Sequence, residues 1–186
     1  MARDDWQRRG ADPESVIGLV RNGARVFVHG AAATPTPLLD ALARRTDLAD
    51  VALYHLHLSG PCAFVERFTP GIVSHSLFTG PALRAPVEEG RAEFVPVFLS
   101  DIPWLFTSRR IPLDVALVQL SPPDAHGHCT LGTSIDAAKA AVDTAPIVLA
   151  EINERMPCTH GNTIVPLEWG DGVRPHEPPA ARRARG

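Results

Sequence analysis

The sequence predicts an α/β domain built on a mainly parallel sheet flanked by helices. Two apolar runs carry that expectation, Asp114-Val-Ala-Leu-Val-Gln-Leu120 and Ile147-Val-Leu-Ala-Glu-Ile152. A parallel strand covered on both faces needs this near-continuous apolar pattern rather than a polar alternation. The third observation is the order of elements, with strand-like and helix-like segments taking turns along the chain.

The first element is the strand Arg25-Val-Phe-Val-His29, closed by the turn Gly30-Ala-Ala-Ala33. Thr34 or Thr36 then caps a helix that has proline just inside its start and runs to Arg45. Leu38, Leu39 and Leu42 share one face of it, and Arg44 and Arg45 occupy the last turn, where the helix dipole favours cations. Residues 51–58 read as a second strand and 72–78 as a third, followed by a helix or turn through Gly80–Gly90. The apolar run 94–99 contains Pro96, which cannot donate to a ladder, so it belongs near a sheet edge or strand end. Asp101 caps a short helix over 101–108 with Pro103 in its first turn. Residues 136–144 form an alanine-rich helix stopped by Pro146. This gives one domain over 1–166 and, because 167–186 offer almost no large apolar side chain to a core, a disordered tail beyond it.

Composition excludes several function classes. The chain of 186 residues carries a net charge of −3, with a pI near 6.2, unlike the basic surfaces that grip nucleic acid without reading sequence. No apolar run reaches the roughly 18 residues of a membrane span, and residues 1–10 lack the apolar core of a signal peptide. The three cysteines, Cys62, Cys129 and Cys158, are widely spaced and odd in number, which fits a reducing cytoplasmic location. Lys139 is the only lysine, and with 18 prolines the composition reflects a GC-rich coding bias.

The richest segment is Ser121-Pro-Pro-Asp-Ala-His-Gly-His-Cys-Thr-Leu-Gly-Thr-Ser134, directly after the clearest strand. In open parallel sheets ligands bind at the carboxyl ends of strands, so Ser121, Pro122, Asp124, His126, Gly127 and Gly132 are candidate site residues. The bland alternative is a connector whose prolines merely fix the turn. Ser121, Asp124 and His126 make a poor hydrolase triad, because they crowd one loop and no Gly-x-Ser-x-Gly elbow is present. His126, His128 and Cys129 suggest zinc only weakly, since a second Cys/His cluster at metal-site spacing is missing, and no metal is assigned. His55 and His57 alternate along a strand and so share a face, fitting a solvent-facing side or subunit interface better than a metal pair. The turn from Gly30 to Pro35 resembles a phosphate cradle in placement only, without the dinucleotide fingerprint or a Walker lysine.

Several segments taken in order resemble a known family. They are Arg25-Val-Phe-Val-His-Gly30 with Pro35 and Pro37, His75-Ser-Leu-Phe-Thr-Gly80, Phe94-Val-Pro-Val-Phe-Leu-Ser-Asp-Ile-Pro103, Asp114 through Gly132, and Asn153-Glu-Arg-Met-Pro-Cys-Thr-His-Gly161. From about Trp6 to Val165 the chain is similar to the N-terminal domain of the acetyl-CoA hydrolase/transferase family, which includes acetate and 4-hydroxybutyrate CoA-transferases. The resemblance implies a CoA-transferase-like fold and an active site in the cleft between two α/β domains. It also implies a covalent route in which a glutamate attacks the thioester of a short-chain acyl-CoA, with a carboxylate as the second substrate. A coenzyme A thioester is then a substrate, and no permanently bound cofactor is needed.

In that family the nucleophilic glutamate and the glycine-rich oxyanion loops belong to a C-terminal domain. None of Glu88, Glu89, Glu93 and Glu151 matches that glutamate, so no catalytic residue is carried over. What is carried over is one cleft wall: the Ser121–Gly132 loop, Gly30 and Pro35, and the 156–161 segment with His160. Cys158 stands where the family pattern leads one to expect arginine. The leading expectation is the N-terminal half of a CoA-transferase or acyl-CoA hydrolase of acetate metabolism, inactive by itself. The competing ones are a truncated or subunit-type module that pairs with a separate catalytic chain, a homo-oligomer being possible, and more weakly a metal-dependent hydrolase. Residues after about 166 are expected to reflect a shifted frame or premature stop.

Overall fold

A computed structural model of the protein describes residues 10–66, 69–166 and 170–176, the last of these as backbone only. The elements are α1 (Pro13–Ile17), β1 (Arg25–Val28), α2 (Thr36–Ala43), β2 (Val51–His55), α3 (Ala63–Glu66), β3 (Ile72–Ser76), α4 (Pro81–Glu88) and β4 (Glu93–Phe94). They continue with α5 (Ile102–Thr107), β5 (Val115–Leu120), β6 (His128–Thr130), α6 (Ala138–Thr144), β7 (Ile147–Asn153), β8 (Ile164–Pro166) and β9 (Gly170–His176).

Strand order in the main sheet is β4-β3-β2-β1-β5-β7-β9, and every pairing in it is parallel. The unbroken runs behave as their composition dictates: all six residues of β5 are buried, as are the middle five of β7. One face packs Val26, Val28, Leu53, Leu117 and Leu149 against Leu38, Leu39 and Leu42 of α2 and Leu83 of α4. The other packs Phe27, Ala116, Val118 and Ala150 against Ile102 and Phe106 of α5 and Ala141 and Val142 of α6. Phe27 and Phe106 meet edge to face at 5.6 Å, the arrangement the ring quadrupoles favour.

Local details depart from the sequence expectations in informative ways. Helix α2 starts at Thr36 behind Pro35 with no side-chain cap. Thr34 turns away from it, donating to the Ala31 carbonyl at 2.8 Å and accepting from the Ser59 amide at 3.1 Å. Asp101 precedes α5 without capping it through its side chain. The Pro96 segment shrinks to the two-residue edge strand β4, as a residue without an N–H requires. His55 and His57 do not form a common polar face, because β2 ends at His55 and that residue is buried.

Of the segment 167–186, expected as a disordered tail, only 170–176 fall among the described residues. Residues 170–176 pair with β7 from Val148↔Gly170 to Asn153↔His176, with one register shift. The free edge of β7 offers ladder partners that depend on backbone groups rather than apolar side chains, and Pro175 is tolerated because β9 is itself an edge. Residues 167–169 and 177–186 lie outside the described residues.

Candidate functional site

From β1 the chain steps outward through β2, β3 and β4, then returns to β5 on the other side of β1 and steps away through β7 and β9. The reversal places a topological switch point between β1 and β5, where open α/β sheets form their ligand crevice at the carboxyl ends of the strands. Gly30 follows β1 and Ser121 follows β5, so the two loops singled out from sequence flank that point. A cavity of about 290 Å³ lined by Arg21, Asn22, Asp114 and Ile147 lies at the opposite, amino end of the same strands.

His29 ties the two loops together. Its Nδ1 accepts from the Gln119 amide at 3.4 Å, which leaves Nε2 as the donor to the Ser134 carbonyl at 2.5 Å. Complete burial pushes its pKa down, so the ring is held in the neutral form that this pair of bonds requires. On the other face of the sheet Gln119 donates to Glu151 Oε1 at 2.9 Å and accepts from Asn153 Nδ2 at 3.0 Å. Asn153 in turn accepts from the Arg155 amide at 2.9 Å, which sets the direction of the segment after β7.

The Ser121–Gly132 loop is a hairpin whose tip is closed by Asp124. The Asp124 amide donates to the His128 carbonyl at 2.9 Å, and Gly127, at φ +81°, donates to the Asp124 carbonyl at 3.1 Å. Asp124 Oδ1 accepts from the amides of His126 at 2.8 Å and His128 at 2.9 Å. Those backbone donors hold its carboxyl below the usual range, a turn-forming role that uses the side chain locally. Pro122 is half-buried, and His126 and His160 are exposed.

Ser121, a cleft candidate from sequence, sits at the base of the hairpin. It is fully buried, and its hydroxyl accepts from the Thr130 amide at 2.9 Å and donates to the Pro122 carbonyl at 3.2 Å. Its bonds fix the base of the hairpin. Gly132, at φ +65°, is pressed against Met156, and a Cβ there would lie 2.0 Å from Met156 Sδ. Thr159 closes the same contact, its hydroxyl donating to the Gly132 carbonyl at 3.0 Å and its amide to Thr130 Oγ1 at 3.3 Å. With β6 antiparallel to β8, the hairpin and the 156–166 segment form one packed unit beside the crevice.

Cys129 lies in the core on β6, where burial pushes its thiol up to about 12. A thiol of that kind is protonated at neutral pH. Among the described residues no group of three or more His, Cys, Asp or Glu side chains is placed to hold a metal ion. No helix among them is long and apolar enough to cross a membrane.

Sequence reasoning did not place His57 beside the β1 turn. It follows β2, next along the sheet from the β1 turn, and its carbonyl accepts from the Ala31 amide at 2.8 Å. Both Gly30 and Gly80 are packed against it, a Cβ on either lying 2.7 Å from a His57 atom. The signal in the sequence was the pair of glycines after strands, which has meaning only once the strands are known to be neighbours.

Residues 1–178 match the family model for the acetyl-CoA hydrolase/transferase N-terminal domain. A succinyl-CoA:acetate/propanoyl-CoA:succinate CoA transferase of Fasciola hepatica is 39% identical over 163 residues, covering 86% of this chain and 33% of the relative. A 4-hydroxybutyrate coenzyme A transferase of Clostridium kluyveri is 34% identical over 154 residues, 82% of this chain and 36% of the relative. The chain thus spans about a third of the length of these curated relatives. Among solved structures, RipA from Yersinia pestis superposes with a TM-score of 0.86 at 23% identity, over 96% of this chain and 45% of that one. A 4-hydroxybutyrate CoA-transferase from Porphyromonas gingivalis gives 0.68 at 26%, over 96% of this chain and 42% of that one. The chain belongs to the acetyl-CoA hydrolase/transferase family, whose N-terminal domain it carries.

Proposed function

We propose that this chain forms the N-terminal wall of a CoA-transferase active site that moves coenzyme A between a short-chain acyl thioester and a carboxylate. The observation that carries the reading is that the Gly30–Pro35 turn and the Ser121–Gly132 hairpin follow the adjacent strands β1 and β5 at the switch point, in a chain 39% identical to a CoA transferase over 163 residues. The wall supplies shape and hydrogen-bonding surface. The covalent step belongs, by family resemblance, to a glutamate on a second domain or partner chain that closes the crevice from the other side.

A partner on that side is supported by the segment leaving the carboxyl end of β4, where Phe94, Phe98, Leu99 and Trp104 are all exposed. The 186-residue polypeptide alone is accordingly expected to be inactive. The test is release of CoA from acetyl-CoA, with and without a carboxylate acceptor, at high protein concentration. Background rates are the expected result. Turnover that disappears in Glu151→Gln or Asp124→Asn would place the chemistry in this chain and overturn the reading. Thioester loss with water alone, in an active assembly containing this chain, would favour the hydrolase branch of the family over the transferase branch.

A further inference from the structure

His57 holds a position that packing alone does not explain. Gly30 and Gly80 come from the turns after β1 and β3, and both give up a side chain to let His57 sit between them. The imidazole then meets Phe78 edge-on, with ring centroids 5.8 Å apart and planes at 71°, and Phe78 is itself 49% exposed. His57 Nδ1 is sealed from solvent and makes no hydrogen bond among the described residues. The ring as a whole is half-buried, and no bond to Nε2 is formed among those residues either.

Orphaned buried N–H groups are rarer in folded proteins than under-satisfied buried acceptors. A sealed, unpartnered Nδ1 therefore favours the tautomer that carries its hydrogen on Nε2. We infer that His57 is a ligand-reading residue of the crevice, donating Nε2–H to an sp² oxygen of the ligand, either a carboxylate oxygen or a thioester carbonyl. The inference rests on the acyl-CoA reading of this wall and names the group by which the wall would recognise the reacting end of its ligand. Phe78 lies beside that donor as an apolar surface, so the pair suits a short hydrocarbon chain ending in such an oxygen.

The experiment is long-range proton–nitrogen correlation NMR on the full chain labelled with ¹⁵N in its histidine rings. It is titrated separately with acetate, acetyl-CoA and free CoA, while backbone amides are followed in parallel. The expected result is the Nε2–H pattern for His57, shifted by acetate or acetyl-CoA and not by free CoA. A response to acetate alone identifies the acceptor carboxylate as the bound oxygen, and a response to acetyl-CoA alone identifies the thioester carbonyl. His57→Gln, which keeps an N–H donor, should retain binding of the active probe, whereas His57→Phe should weaken it about tenfold, the loss of one hydrogen bond.

Hydrogen on Nδ1, a His57 ring unmoved by both acetate and acetyl-CoA, or an equal response to free CoA would overturn the inference. If acetyl-CoA shifts the amides of 30–35 and 121–132 while His57 stays silent, the inference fails and the acyl-CoA reading stands. If His57 answers acetate while acetyl-CoA leaves those amides untouched, the donor stands and the acyl-CoA reading falls.

Discussion

Single histidines do different work in this molecule according to what surrounds them. His55 is fully buried, donating from Nδ1 to the Leu56 carbonyl at 2.6 Å and accepting at Nε2 from Ser74 at 2.7 Å. Burial lowers its pKa from 6.5 to about 4. A folded-state value below the unfolded one means that the unfolded chain takes up the proton first as pH falls. The stabilising contribution is thus complete above pH 6.5 and is lost progressively down to about pH 4, amounting to about 3 kcal/mol. Denaturant unfolding at a series of pH values is expected to show that slope, flattened in His55→Gln. An unchanged slope in the variant would assign the acid sensitivity elsewhere, His29 being the other buried histidine with a lowered pKa. None of this is legible in the sequence, where His55 and His57 look alike. They differ because β2 stops between them, and strand ends are set by neighbours rather than by local composition.

Elements were easier to read than residues. The apolar runs of β5 and β7, the glycine turn after β1 and the proline-blunted β4 are all local patterns, and each appears where the pattern places it. The small sheet of β6 and β8 was not legible, because it joins residues 128–130 to 164–166 and its stability comes from that distant pairing. The tail strand β9 was hidden for the same reason. The hairpin unit has a simple vulnerability at Gly132, which combines a positive φ with direct pressure from Met156. Gly132→Ala is expected to destabilise the protein by about 1–3 kcal/mol. Adding Met156→Ala in the same chain should recover part of that loss by opening space, leaving the cost of the backbone conformation. Equilibrium denaturation of the single and double variants checks this. A double variant no more stable than the sum of the two single losses would mean that the Met156 contact is not the source of the strain.

At the scale of the whole molecule, the topology positions the site. Six parallel pairings put every carboxyl strand end of the main sheet on one side, and the reversal between β1 and β5 opens that side at one place. The sequence carried the resemblance and the loop after β5, while the neighbourhood of Gly30, His57 and Gly80 needed the strand order to become visible. The central claim is that this side, and not the cavity at the amino ends of the strands, receives the acyl-CoA. Hydrogen–deuterium exchange of the chain with and without acetyl-CoA tests it most directly. The account expects slowed exchange in residues 29–35, 56–59 and 121–134. Slowed exchange confined to residues 19–24 and 113–115, or none anywhere, would contradict it.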